Sequence, residues 1–164
     1  LAFAYEEAIG ACPAPQVVAD KDGIATALIA AQWVADLKEQ GRTLLDELAE
    51  LEQAYGVFRT GQVSMRFETP EQAAEMVATV LHAPPAELAG ITVGSSPIED
   101  SAGRTTDGVK LAGQREETAI RVIARPSGTE PKAKFYLEVT GPAGSRDAVE
   151  DVYGELEQAV KELF

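Results

Sequence analysis

The sequence is poor in the residues that build disulfides and many metal sites, with one cysteine and one histidine in 164 residues. A single cysteine, Cys12, excludes a disulfide within the chain, which fits a reducing compartment. No neighbouring base in the sequence activates its thiol, and His82 stands near a predicted helix C-terminus, where a cation suits the helix dipole. We therefore expect structural roles for both residues.

Basic residues are also scarce, since 14 Lys and Arg face 27 Asp and Glu and give a formal net charge of −13. This balance argues against nucleic acid as a general partner, because the phosphate backbone demands a basic surface. It argues equally against an anionic membrane surface. It still allows a small anionic ligand that is held by a local basic site.

A long apolar run is missing as well. The longest one, from Ile24 to Ala35, is interrupted by polar residues and is shorter than the roughly 20 residues that span a bilayer. No basic residue precedes Lys21, so the charged start of a signal peptide is not present. The sequence begins with Leu1 and an apolar, strand-like stretch, and we expect it to be cut from a larger, cytoplasmic protein.

Hydrophobic periodicity divides the chain near residue 55. Before that point, Asp22 is a suitable N-cap for a helix over 24–40 whose wide apolar face needs cover, and a second helix is predicted over 43–55. After it, the pattern predicts strands at 63–67, 91–93, 118–124 and 134–140. It also predicts a helix from Thr69 to the Pro84-Pro85 pair, with Thr69 and Gln72 forming a capping box, and a helix over 145–164. Residues 94–117 are turn-rich and polar, with at most a short strand at 109–111. The expected fold class is α+β, an antiparallel sheet with helices on one face.

The segment from Arg121 to Lys134 reverses the charge of the chain, because four cations and one acid, Glu130, give it a net charge of +3. Arg121 and Arg125 share one face of their strand by period two, so both can approach a ligand on that face. Between the two strands, Pro126-Ser-Gly-Thr129 supplies a turn, two hydroxyl donors and a glycine that lets backbone N–H groups approach an anion.

Two interpretations of this segment stay open on physical grounds. The Arg125 guanidinium is a fork of donors that matches phosphate oxygens, which favours a phosphate-binding loop. The same residues also fit an ordinary β-hairpin turn with basic strand ends, since Pro-Ser-Gly is common in turns.

Three motifs together resemble a known family. Arg125-Pro-Ser-Gly-Thr-Glu-Pro-Lys132 resembles the phosphate-binding loop in the last domain of the α-D-phosphohexomutases, the phosphoglucomutase and phosphomannomutase enzymes. Phe3-Ala-Tyr-Glu-Glu-Ala-Ile-Gly10 is similar to the sugar-recognition loop of their third domain, and Asp20-Lys-Asp-Gly-Ile24 to the segment that follows it. The motifs come in the family's order, and the Glu-Glu-Ala-Ile-Gly loop is most similar to the phosphoglucomutase and phosphopentomutase branch.

The resemblance implies a four-domain isomerase with its active site between the domains. A phosphoserine of the first domain donates its phosphoryl group, a sugar bisphosphate forms and reorients, and its other phosphate returns to the serine. The enzyme interconverts a sugar 1-phosphate with a 6-phosphate or 5-phosphate, and an Asp-rich loop of the second domain holds Mg²⁺. Residues 1–55 then correspond to the tail of the third, α/β domain, and residues 56–164 to a fourth domain of the TATA-box-binding-protein-like fold.

The resemblance also assigns residues. The substrate phosphate is bound by the loop and by a basic position on the next strand, which correspond here to Arg125, Ser127, Gly128, Thr129 and Lys134. Glu6 matches a glutamate that accepts hydrogen bonds from sugar hydroxyls, and Lys21 a lysine that approaches the substrate. Ala8 stands where many relatives have serine, which puts the usual sugar preference in doubt. Without the family, Glu6 and Glu7 are equally two solvated carboxylates, and Lys21 an exposed charge.

The sequence lacks a Thr-Ala-Ser-His-Asn-Pro phosphoserine segment and an Asp-Gly-Asp-x-Asp-Arg metal loop. We therefore predict no catalytic residue and no metal ligand in this chain, which depends on the N-terminal domains of its polypeptide and is inactive by itself. The alternative is a non-catalytic α+β binding or regulatory module that uses the same loop for an anion or a partner protein.

Overall fold

The computed structural model describes residues 2–6, 10–100, 102–128 and 130–163. The chain divides into two compact units, Leu1–Leu51 and Glu52–Phe164. Within the described residues, no helix has both the length and the apolar character needed to cross a membrane.

The first unit is built on a small hairpin and a long helix. Strands β1 (Ala4–Glu6) and β2 (Gly10–Cys12) pair antiparallel, and helix α1 (Gly23–Glu39) follows. The predicted cap is confirmed, because the Asp22 carboxylate accepts hydrogen bonds from the backbone N–H groups of Ile24 and Ala25, both at 3.0 Å. The N–H of Asp22 donates to the carbonyl of Ala11 at 2.9 Å, so the same residue ties the start of α1 to β2.

Helix α1 exposes the apolar face that the sequence predicted to need cover. Ile24 and Leu28 are 86% and 71% exposed, and Leu37 is the buried residue of this helix. Helix α2 (Leu44–Tyr55) holds no buried residue, although it too carries a leucine stripe. The described part of the first unit therefore contains little core of its own.

The second unit is an α+β domain, as predicted. Its five-stranded antiparallel sheet has the order β3-β9-β8-β7-β6, and helices α3 and α4 pack on it. The element bounds are β3 Val57–Arg66, α3 Pro70–His82, β6 Gly94–Glu99, β7 Thr105–Arg115, β8 Thr118–Pro126, β9 Lys132–Gly141 and α4 Arg146–Glu162. Two short strands, β4 (Glu87–Leu88) and β5 (Ile91–Thr92), form a separate hairpin.

The helices cover one face of this sheet. Alternate residues of β9, from Ala133 to Val139, are at most 1% exposed and form one core with Val77 of α3 and Leu156 of α4. The intervening residues of β9 are partly exposed, so the opposite face of the sheet is open. Thr69 and Gln72 form the predicted capping box at the start of α3.

The expectation that residues 94–117 hold at most a short strand is wrong, because β6 and the whole of β7 lie there. β7 pairs with β8 from Val109↔Ala124 to Arg115↔Thr118. Val109 and Leu111 are the buried side chains of β7, so its other residues leave a polar sequence with little strand signal.

Strand β3 also begins earlier than predicted, at Val57. Arg59 and Gly61 interrupt its apolar alternation, and both are explained by Tyr153 of α4. The Arg59 guanidinium lies 4.2 Å from the centroid of the Tyr153 ring, and a Cβ on Gly61 would collide with the Tyr153 hydroxyl. The strand is thus shaped by a residue about 90 positions away.

Candidate functional site

The loop between β8 and β9 is fixed by backbone hydrogen bonds. The N–H of Ser127 donates to the carbonyl of Lys132 at 2.8 Å, and the N–H of Lys132 donates to the carbonyl of Glu130 at 2.7 Å. The N–H of Phe67, just after β3, donates to the Pro131 carbonyl at 2.8 Å. The loop is therefore closed at its base and attached to a second strand end. Thr129, a predicted phosphate ligand, lies outside the described residues.

Arg125 and Lys134 face each other directly across β8 and β9. They lie on the open face of the sheet, at the end where the loop begins, with side chains about 5 Å apart at Cβ. In the described parts of the chain, neither cation has a carboxylate within ion-pair distance. Like charges in this position repel each other, and an anion between them would remove the repulsion.

Among the described residues, the Arg125 guanidinium contacts Tyr136, which lies two residues beyond Lys134. An Arg125 Nη2 hydrogen is donated to the Tyr136 hydroxyl at 3.2 Å, and the guanidinium carbon lies 5.4 Å from the ring centroid. A guanidinium has five N–H donors, so most of them remain open to a ligand. Tyr136 belongs to none of the sequence motifs, but period two after Lys134 places it on the same face.

Arg121 lies on the same face, as predicted, but it is engaged elsewhere. Its Nη2 contacts the Glu138 carboxylate at 2.7 Å, and the two residues are cross-strand partners. This ion pair neutralises Arg121, so Arg125 is the arginine of β8 whose charge is open to an anion.

The acid of the loop is neutralised internally. Glu130 forms an ion pair with Lys132, and the hydrogen bond and charge of that ammonium hold the pKa of the Glu130 carboxyl below its ordinary value. Arg66 and Lys134 add to this effect through their charges. Arg66 is the cross-strand partner of Lys132, so a third basic strand end flanks the loop, which the sequence analysis did not include.

Gly128 has free space beside its backbone. A Cβ at this position would meet no atom within 4 Å, and its backbone is not in the left-handed region. The fold therefore does not demand glycine here, whereas a ligand that approaches the backbone N–H groups would. Register and loop closure thus bring Arg125, Ser127, Gly128 and Lys134 to one end of the sheet.

The predicted sugar-binding residues meet in the first unit. Lys21 Nζ donates to Glu6 Oε1 at 2.8 Å, and this hydrogen bond and the carboxylate charge raise the pKa of Lys21 above its ordinary value of 10.5. Both side chains line an open cavity of about 290 Å³, together with Tyr5, Cys12 and Asp20. Glu7 and Ala8 lie outside the described residues.

Gly10 is what lets these two side chains meet. A Cβ on Gly10 would collide with the Lys21 side chain and approach Glu6 Cγ to 2.7 Å. Gly10 is the cross-strand partner of Glu6, so the hairpin register sets this close approach.

Cys12 is the last residue of β2, and His82 lies in the last turn of α3, at the helix end where the sequence predicts it. Cys12 is buried and its thiol donates to the carbonyl of Val18 at 3.5 Å. In the described ranges, no three His, Cys, Asp or Glu side chains are grouped so that they could hold a metal ion.

Comparison with known proteins identifies relatives over the whole chain. It is 36% identical over 164 residues to a protein of Haemophilus influenzae named probable phosphomannomutase, covering 100% of this chain and 33% of that protein. Phosphoglucomutases of Staphylococcus haemolyticus and Staphylococcus epidermidis are 32% and 33% identical over 84% of this chain and 27% and 28% of their own length. The chain thus spans about a third of the length of the curated relatives it matches.

Two other comparisons add no argument. No family model matches the chain. A crystal structure of a Bacillus thuringiensis protein matches 64% of this chain and 94% of that one, with 10% identity and a TM-score of 0.35.

The relatives and the three motifs agree, and the chain belongs to the phosphohexomutases, the family of phosphomannomutases and phosphoglucomutases.

Proposed function

We propose that this chain is the C-terminal, substrate-anchoring part of a phosphosugar mutase, an isomerase that moves a phosphoryl group between two positions of a sugar. The observation that carries the proposal is the pair of opposed cations, Arg125 and Lys134, beside a closed Ser-Gly loop. In this proposal, residues 1–55 are the tail of the third domain and residues 56–164 are the fourth domain.

The chemistry of the loop suits a phosphate dianion. Two cations, neither of which has a carboxylate partner among the described residues, balance its charge. The Arg125 fork can hold two of its oxygens. Ser127 adds a hydroxyl, Gly128 leaves the backbone N–H groups open, and Thr129 adds a second hydroxyl by sequence. Such a set of donors fixes a phosphate without supplying a nucleophile or a base, which suits the phosphate that is not transferred.

The sugar would be contacted by the Glu6 and Lys21 pair. Glu6 can accept a hydrogen bond from one hydroxyl while Lys21 donates to another oxygen, so a sugar can replace part of their mutual hydrogen bond. Both side chains are about half exposed in the cavity, which leaves room for that exchange.

The catalytic parts come from the other domains in this proposal. A phosphoserine transfers its phosphoryl group to the substrate, and the resulting sugar bisphosphate reorients and returns its other phosphate. Mg²⁺ would neutralise charge at the phosphoserine. The residues of this chain bind and orient the substrate, and the chain alone is expected to show no mutase activity.

An NMR titration of the 164-residue chain with glucose 1-phosphate tests the anchor. We expect shifts at Ser127, Gly128 and the adjoining ends of β8 and β9, with Arg125→Ala abolishing most of them. Arg121→Ala is the matched control, because it removes a neighbouring arginine that is ion-paired with Glu138. If Arg125→Ala left the titration unchanged, the anchor assignment would be wrong.

The second candidate function is a non-catalytic module that binds an anion with the same loop. The basic loop in a strongly acidic chain favours it as much as it favours a mutase. The sequence that precedes Leu1 in the gene separates the two, since a phosphoserine segment and an Asp-rich metal loop are required only by the mutase.

A further inference from the structure

Tyr136 contacts the Arg125 guanidinium with both its hydroxyl and its ring. Its hydroxyl accepts a hydrogen bond from Arg125 Nη2 at 3.2 Å, and its ring lies under the same guanidinium at 5.4 Å. One side chain therefore fixes the guanidinium in two ways, by a directed hydrogen bond and by the negative face of the ring.

The Tyr136 ring is itself well supported. β9 lies between β3 and β8, so Tyr136 has a direct neighbour on each side, Gln62 and Ile123. The helix-covered residues Phe135 and Leu137, before and after it in the strand, are 1% exposed. A strand that is paired on both sides and anchored from below gives the ring little freedom to move.

Arg125 needs such support. Its side chain is exposed, and long exposed side chains populate many rotamers. Lys134, directly opposite, repels its guanidinium and would drive it away from the point where an anion is neutralised by both cations. The contact with Tyr136 opposes this displacement and uses a single N–H donor, so the remaining donors stay open.

We propose that Tyr136 is a positioning residue that holds the Arg125 guanidinium ready for the substrate phosphate. This inference rests on the proposed function of Arg125 as the phosphate anchor. Tyr136 acts through Arg125, and it raises phosphate affinity because less side-chain freedom is lost when the ligand binds.

Two substitutions separate the hydroxyl from the ring. With inorganic phosphate as the probe and the 164-residue chain as the protein, Tyr136→Phe should raise Kd about 3-fold and Tyr136→Leu about 10-fold. The Arg125 Nε–Hε NMR signal of the phosphate-free chain should shift in both variants, because both lose the hydrogen bond between Arg125 Nη2 and the tyrosine hydroxyl. Tyr153→Phe is the control, since Tyr153 contacts a different arginine, Arg59, on the helix-covered face.

A double-mutant cycle shows whether Tyr136 acts through Arg125. In an Arg125→Lys background, Tyr136→Phe should change Kd by less than about 1.5-fold, because lysine has no guanidinium to orient. An equal 3-fold effect in both backgrounds would overturn the proposal, as would an unchanged Arg125 signal. Failure of the proposed function is distinguishable, since Arg125→Ala would then leave phosphate affinity at the wild-type value.

Discussion

At the scale of single residues, the proposed phosphate site depends mainly on Arg125 and Lys134, which lie opposite each other on β8 and β9. Two cations directly opposite each other across a sheet destabilise it by roughly 0.2–1 kcal/mol, so this pair weakens the unliganded fold. Glu130 attracts Lys134 but is bound to Lys132. An anionic ligand between Arg125 and Lys134 would remove their mutual repulsion.

Lys134→Gln should therefore raise the melting temperature of the phosphate-free chain by about 1–3 °C at low salt, since it removes the repulsion. The same variant should gain less stability than wild type when phosphate is added. Thermal unfolding with and without phosphate measures both effects. Lys110→Gln is the control, because Lys110 faces Ile123 and not a cation. A lower melting temperature for Lys134→Gln without phosphate would contradict this account.

The pH dependence of the loop follows from Glu130. Lys132 keeps the pKa of Glu130 below its ordinary value of 4.5, so their ion pair contributes to loop stability above that pH. The contribution is lost as the pH falls through the lowered pKa. An NMR titration that follows the side-chain carboxyl carbon of Glu130 should give a midpoint below pH 4.5, and Lys132→Met should move that midpoint upward. A midpoint that does not respond to Lys132→Met would show that the pair is not formed.

At the scale of elements, the caps and turns that depend on neighbouring residues could be predicted from the sequence. The strand limits that depend on distant residues could not. The Asp22 cap, the capping box at Thr69 and the β8–β9 hairpin follow from neighbouring residues and are confirmed. The early start of β3 could not be predicted, because Arg59 and Gly61 fit the strand only through Tyr153. β7 was missed because its face opposite the helices is polar.

In the candidate site, too, some features could be predicted from local sequence and others could not. The basic loop and the shared face of Arg121 and Arg125 follow from sequence order and period two. The Glu138 partner that neutralises Arg121, and the Tyr136 contact with Arg125, follow from the β8–β9 register, which no local pattern specifies.

The β1–β2 hairpin allows a test of the predicted sugar contacts. Gly10→Ala should separate the Glu6 and Lys21 side chains, because the new methyl group occupies the space where they meet. The pKa of Lys21 should then fall toward its ordinary value of 10.5, which an NMR titration of the lysine ammonium measures. Gly23→Ala is the control, since a Cβ there meets no atom within 4 Å. An unchanged Lys21 pKa in Gly10→Ala would show that Gly10 does not control the pair.

At the scale of the whole molecule, the two units differ in how complete they are. The second unit has a continuous core, whereas α1 in the first unit exposes a large apolar face. The chain spans 33% of the length of its Haemophilus influenzae relative. The exposed face of α1 is therefore the surface on which we expect further chain of the parent protein to pack.

Replacing the apolar residues on the exposed face of α1 with charged ones should reduce self-association of the chain. The double variant Ile24→Glu and Leu28→Glu should bind less of a hydrophobic fluorescent dye and self-associate less, because both side chains are more than two-thirds exposed. Phosphate affinity should not change. Val17→Glu, an exposed apolar residue outside α1, is the control and should have little effect on dye binding. Equal dye binding by the double variant would contradict the assignment.

The central claim is that Arg125 anchors a phosphate, and calorimetric titration with inorganic phosphate tests it most directly. The affinities of wild type, Arg125→Ala, Lys134→Ala and Arg121→Ala are compared at one salt concentration. A charge-assisted fork predicts a loss of about 10- to 100-fold for Arg125→Ala, a smaller loss for Lys134→Ala and almost none for Arg121→Ala. Equal losses for all three variants would indicate nonspecific attraction to a basic surface and would contradict the account.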